Sequence, residues 1–182
     1  STKLGQEYIE EASRTLFTEV PGLGGLIVIP VGERFTHCYS SAIPEGGRTT
    51  SPINCPRCSK RNPHEVFRDT LAAFARGVHG VAPGAELIAW PYGQMIGWGE
   101  KMTAEAAAHV PPGVILQHNF ETGGVNRQLG KDRPLWDYWL SWPGPSSLYI
   151  KAAAAVKKNH GRMSAKLQVG CSHEIATVPF VP

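Results

Sequence analysis

Leu26-Ile27-Val28-Ile29-Pro30-Val31 is an unbroken apolar run rich in β-branched residues, and it limits the fold more than any other segment. A strand with one wet face alternates apolar and polar residues, whereas a strand covered on both faces does not. The run therefore predicts a strand of a parallel sheet in an α/β fold. Its neighbours fit that reading. Tyr8, Ile9, Ala12, Leu16 and Phe17 recur near helical spacing over residues 6–19, and Pro21-Gly22 stops the pattern. Pro63 and Glu65 open a second helix with the stripe Val66, Phe67, Thr70, Leu71 and Phe74, ending near Gly80. Glu86 to Trp90 and Val114 to Asn119 read as further strands, separated by a short helix that Thr103 can cap and that runs through His109. A hairpin strand is expected from Asp137 to Trp142. Ser146 or Ser147 starts an Ala-rich helix that closes at Asn159-His160-Gly161, and a fourth main strand runs from Ser164 to Val169.

Strands alternating with helices imply right-handed βαβ units in a parallel sheet. Four such strands make about half of a (β/α)8 TIM barrel, which usually takes ~250 residues. The expected organisation is a single α/β domain over residues 1–182, a partial TIM barrel and a fragment of a larger catalytic domain, with 34–62 as a cysteine-containing loop insertion. The remainder of the same barrel, or another chain, would complete it.

With 182 residues and 42% hydrophobic content the chain can bury a real core. The formal net charge of +3 is small, and Lys and Arg are scattered, so the electrostatic footprint of nucleic-acid binding is missing. No apolar run approaches the ~20 residues of a membrane span. The start, Ser1-Thr2-Lys3-Leu4-Gly5, lacks the apolar stretch of a signal peptide, although removal of a leader leaves export open. Four cysteines are too few for a disulfide-built scaffold and leave the compartment undecided.

The chemistry is expected at strand ends. Glu33 ends the first apolar run and Glu174 ends the run Ala165 to Glu174. Barrel enzymes keep their reactive residues at the carboxyl ends of strands, and glycoside hydrolysis usually takes two carboxyl groups facing one bond. Separations of about 5 Å suit retention, and larger ones near ~7 to 9 Å suit inversion. Trp90 and Tyr92 end the second strand, His118 and Asn119 the third, and His173 precedes Glu174. Flat aromatic faces with amide and imidazole hydrogen bonds suit sugars, so these residues are candidate substrate contacts. The blander alternatives are that Glu33 pairs with Arg34, that Glu174 is an ordinary loop carboxylate, and that Trp90, Trp136, Trp139 and Trp142 are packing residues.

Cys55-Pro56-Arg57-Cys58 is a CxxC turn of the kind that wraps a metal, with His37 and Cys38 upstream and His64 downstream. Cys38, Cys55 and Cys58 as thiolates with His37 as imidazole would make a closed structural zinc site. A disulfide and reduced thiols are the competing readings. A thioredoxin-like role fits poorly, because Cys55 does not open a helix directly after a strand. No cofactor is implied for catalysis itself.

Taken together, Gly24-Gly25-Leu26-Ile27-Val28-Ile29, Gly32-Glu33-Arg34, His37-Cys38-Tyr39-Ser40, Cys55-Pro56-Arg57-Cys58 and His173-Glu174-Ile175 resemble bacterial glycoside-hydrolase-like proteins. The relatives in view are TIM-barrel β-N-acetylhexosaminidases, including the group with a cysteine-rich loop after the fourth strand. The resemblance implies that Glu33 is the acid/base at the end of the fourth strand and that Glu174 stands at the end of the seventh, where retaining barrels carry the nucleophile. In the usual hexosaminidase pattern an Asp directly precedes the catalytic Glu and orients the substrate acetamido group. Here that position is Gly32.

Two functions follow. One is a glycosidase for a β-linked, N-acetylated or plain sugar, working by carboxylate acid/base catalysis. The other is a non-catalytic carbohydrate- or partner-binding domain with a structural zinc loop.

Overall fold

The computed structural model describes residues 2–32, 36–40, 55–92, 99–135 and 144–167. Helix α1 spans Lys3–Glu19 and is capped by Thr2, whose hydroxyl accepts the Gly5 N–H at 3.0 Å. Strand β1, Gly25–Val28, is shorter than the apolar run, because Pro30 has no N–H to offer a sheet ladder. A 3-10 turn at Cys58–Lys60 leads into α2, Pro63–His79, where the Glu65 carboxylate accepts the Asn62 N–H at 3.3 Å. Then come β2 (Glu86–Ala89), α3 (Gly99–Ala108), β3 (Val114–Asn119), β4 (Val125–Gln128), β5 (Lys131–Pro134), α4 (Ser147–Lys158) and β6 (Arg162–Lys166). Ser146 caps α4 by accepting the Tyr149 N–H at 3.1 Å.

Some expectations are corrected. Helix α3 begins at Gly99, so Thr103 is a buried interior residue and not a cap. Strand β6 starts two residues earlier than Ser164. The described hairpin is β4–β5, antiparallel, around Leu129 (φ 50°) and Gly130 (φ 72°). Two positive φ values suit the tight turn whose twist matches paired strands, and leucine is an unusual occupant of it. The expected strand from Asp137 to Trp142 lies outside the described residues.

The main sheet has the order β1-β2-β3-β6, and every neighbouring pair is parallel. The α/β class with strands alternating with helices is therefore observed. Register separates its two faces. Leu26, Leu87 and Val114 align across one face, as do Val28, Ala89, Leu116 and Met163. These side chains pack with Phe17 of α1, Val66, Phe67, Leu71 and Val78 of α2, Ala106 and Ala107 of α3, and Ala152 and Val156 of α4. The four described helices therefore cover the same face. That is the outcome of a sheet built in one direction by crossovers of one hand.

The opposite face carries Ile27, Ile88 and Ile115, then Gln117 beside Ser164, and Asn119 beside Lys166. Ile27 is 56% exposed there, and Arg162 reaches across β3 to Glu86 at 2.9 Å. No described helix packs on it. Among the described residues no helix is long and apolar enough to cross a membrane.

Helices α1 and α2 meet closely at Gly77. A methyl group there would clash with the Glu10 carbonyl oxygen and lie 2.7 Å from the Ser13 Cβ. Arg76 and Arg14 grip Glu10 at 2.6 and 2.7 Å beside that contact. Gly77→Ala gains up to ~1 kcal/mol of helix propensity but must push two backbones apart, and overpacking of this kind costs ~1–3 kcal/mol. We expect a net loss of stability in urea denaturation; a variant as stable as the parent would contradict the close approach.

Candidate metal centre and carboxyl-end rim

The cysteine turn is built from local hydrogen bonds. Ser59 N–H donates to the Cys55 carbonyl at 3.0 Å, Arg61 N–H to that of Cys58 at 2.9 Å, and Cys58 N–H to the Cys55 sulfur at 3.4 Å. Tyr39 spans the gap to the upstream segment, its hydroxyl lying 2.7 Å from the Cys58 carbonyl oxygen and 2.9 Å from that of Arg61. The result brings Cys38 to the turn. The sulfurs of Cys38, Cys55 and Cys58 all lie within 4.8 Å of one another, Cys58 buried and the other two half-buried. All three are free thiols.

Zinc holds thiolates at ~2.3 Å, so tetrahedral partners stand about 3.8 Å apart. Small side-chain rotations close the remaining difference, and the donor set suits a soft or borderline metal. The thiols are electrostatically unequal. Burial, with hydrogen bonds to Cys58 and Cys55, pushes Cys38 up to about 12. The Cys58 and Arg57 backbone N–H groups hold the Cys55 thiolate, bringing its pKa down to about 7.

His37, expected as the fourth ligand, is not part of this group. Its Nδ1 accepts the Tyr39 N–H at 3.1 Å and its ring packs edge-on to Phe67. Burial keeps it neutral, with a pKa down to about 3. His64 is also engaged elsewhere. It stacks on His109 at 4.2 Å, with Nδ1 at 3.6 Å from a Glu105 carboxylate oxygen.

At the carboxyl ends of β2, β3 and β6 a second group forms on the uncovered face. The Trp90 indole N–H donates to Asn119 Oδ1 at 2.8 Å, Tyr92 packs edge-on to Trp90 at 5.2 Å, and the Lys166 ammonium sits 4.9 Å from the centre of the Trp90 ring. Trp90, Tyr92 and Asn119, three of the residues expected to contact substrate, are thus near one another. His118 is not with them. Neighbours on a strand point to opposite faces, so His118 lies on the helix side, its Nδ1 at 2.8 Å from the Asn119 carbonyl oxygen and its ring edge-on to Tyr149. Burial lowers its pKa. Glu33, His173 and Glu174 lie outside the described residues.

Lys166 was missed by sequence reasoning, although the alternation Arg162, Ser164, Lys166 places it on the face of Asn119. Glu121, just beyond β3, is buried at 8% exposure, a strand-end carboxylate that sequence alone does not distinguish from a loop residue.

The lowered Cys55 pKa has a direct sign. Its thiolate fills as pH rises through about 7, below the ~8.5 of an ordinary cysteine. In metal-free, reduced protein, iodoacetamide should label Cys55 before Cys38, with half-maximal rate near pH 7 by peptide mass spectrometry; equal labelling would refute the inequality. The chain matches no protein-family model, no curated protein and no solved structure in the comparisons made with each.

Proposed function

We propose that this chain is part of a glycoside-hydrolase-like β/α barrel, with a structural zinc ion in its cysteine turn. The observation that carries the reading is the sequential parallel order of the sheet with its helices on one face. Such a sheet is compatible with an arc of a barrel wall. In this reading the face that carries Ile27, Ile88 and Ile115, on which no described helix packs, is a barrel interior that further strands would close, from the same barrel or another chain. All its strands end on one rim, and Trp90, Asn119 and Lys166 meet there.

In this reading Glu33 is the general acid/base and Glu174 the nucleophile, or the group that orients a substrate acetamido. The substrate is a β-linked sugar, N-acetylated or plain. Three thiolates from Cys38, Cys55 and Cys58 hold the zinc, and a fourth donor or water completes the tetrahedron.

The second reading is a non-catalytic carbohydrate- or partner-binding domain with a structural zinc loop. The Trp90 indole is already hydrogen-bonded to Asn119 and its ring face is occupied by Lys166, which suits a rigid rim as well as it suits a stacking platform.

Glu33→Gln separates the two. Losing a general acid removes ~10²–10⁴-fold in rate, so cleavage of aryl β-glycosides should fall by that much at unchanged melting temperature. Retained turnover would sink the acid/base role, and sugar binding without turnover in either form would support the second reading. Elemental analysis of protein purified under reducing conditions should find about one zinc per chain, lost in Cys55→Ser, as for a site needing all its thiolates. Absence of zinc from the parent would remove the metal.

A further inference from the structure

The segment carrying Cys38 is fastened on two sides. Towards β1, the Ser40 hydroxyl accepts N–H groups from Thr36 at 3.1 Å and His37 at 3.0 Å and donates to the Pro30 carbonyl at 2.9 Å. The Thr36 hydroxyl donates to the same carbonyl at 2.8 Å, and Gly32 N–H donates to the Ser40 carbonyl at 3.0 Å. Towards α2, Tyr39 reaches the Cys58 and Arg61 carbonyls, and the Cys38 sulfur joins Cys55 and Cys58. Pro30, Val31, Tyr39 and Ser40 are buried in the middle.

We infer that a metal ion in the thiol cluster acts as a clamp on the carboxyl end of β1, holding the backbone from Pro30 to Gly32 in place through residues 36–40. The inference rests on the metal reading above and not on the glycosidase reading. Metal–thiolate bonds join Cys38 to a turn far from it in sequence, and the binding free energy of the ion then opposes separation of the two. Ser40 passes that restraint on, because its one hydroxyl serves two amides of its own segment and a carbonyl of the strand extension. Ser40 is a positioning residue here.

The test is amide hydrogen exchange by NMR on the intact chain, with zinc bound and after chelation under reducing conditions. Zinc removal should speed exchange at Gly32, Thr36, His37 and Ser40 by about tenfold or more, with Leu116 and Ala89 in the sheet unchanged. Ser40→Ala should still bind zinc and yet exchange faster at Thr36 and His37. Unchanged exchange at those amides after zinc has left would overturn the clamp while leaving the metal site intact. A rise that includes Leu116 equally would also overturn it, since the ion would then hold the whole domain. Failure of the chain to bind zinc removes the metal reading and the clamp with it. Normal exchange at Thr36 and His37 in Ser40→Ala would remove the role of Ser40.

Discussion

Phe67 and Leu71 of α2 sit fully buried with Leu87 and Ala89 of β2, at the centre of the larger of the two core clusters. Phe67, Leu71 and Leu87 each stabilise the fold by ~1.5–3 kcal/mol through removal from water. Because the described helices bury their apolar stripes on this one face, the sheet keeps a second face that no described helix covers. Gly77 lets α1 settle against α2 at a distance that a side chain would prevent. The core therefore has a direction, with the described helices on one side of the sheet and an exposed Ile27 on the other.

That direction sorts the chemistry. A strand residue points either into the helix layer or to the uncovered face, and adjacent residues cannot share a destination. His118 goes inward and is held neutral by burial, while Asn119 goes outward and takes the Trp90 indole N–H. Lys166, in register with Asn119, completes the rim. The cysteine turn belongs to the same plan, since it fills the connection between β1 and α2 and contributes Cys58 to the core.

Much of this was legible beforehand. The helices α1, α2 and α4 and the four parallel strands announce themselves through period and caps, because amphipathic spacing and apolar runs are local properties. The start of α3 was missed because Thr103 offers a plausible cap inside the helix. The β4–β5 hairpin was missed because its strands are polar and its turn uses Leu129. In the candidate sites, the CxxC spacing foretold the approach of Cys55 and Cys58, and the gathering of Cys38 with them was expected from proximity in the loop. His37 looked equivalent to its neighbour, yet its ring was drawn into the core against Phe67.

The sequence by itself determined the α/β class, the alternation of elements and the CxxC turn, since each depends on residues close together along the chain. Only the tertiary structure decided which face the helices share, that Trp90, Asn119 and Lys166 meet, that His118 and His37 turn away from the sites assigned to them, and that Ser40 links the cysteine segment to Pro30. Those outcomes depend on strand order, register and the choice of buried face. Such choices are made by competition among distant side chains for the same dry interior, and no local pattern encodes the winner.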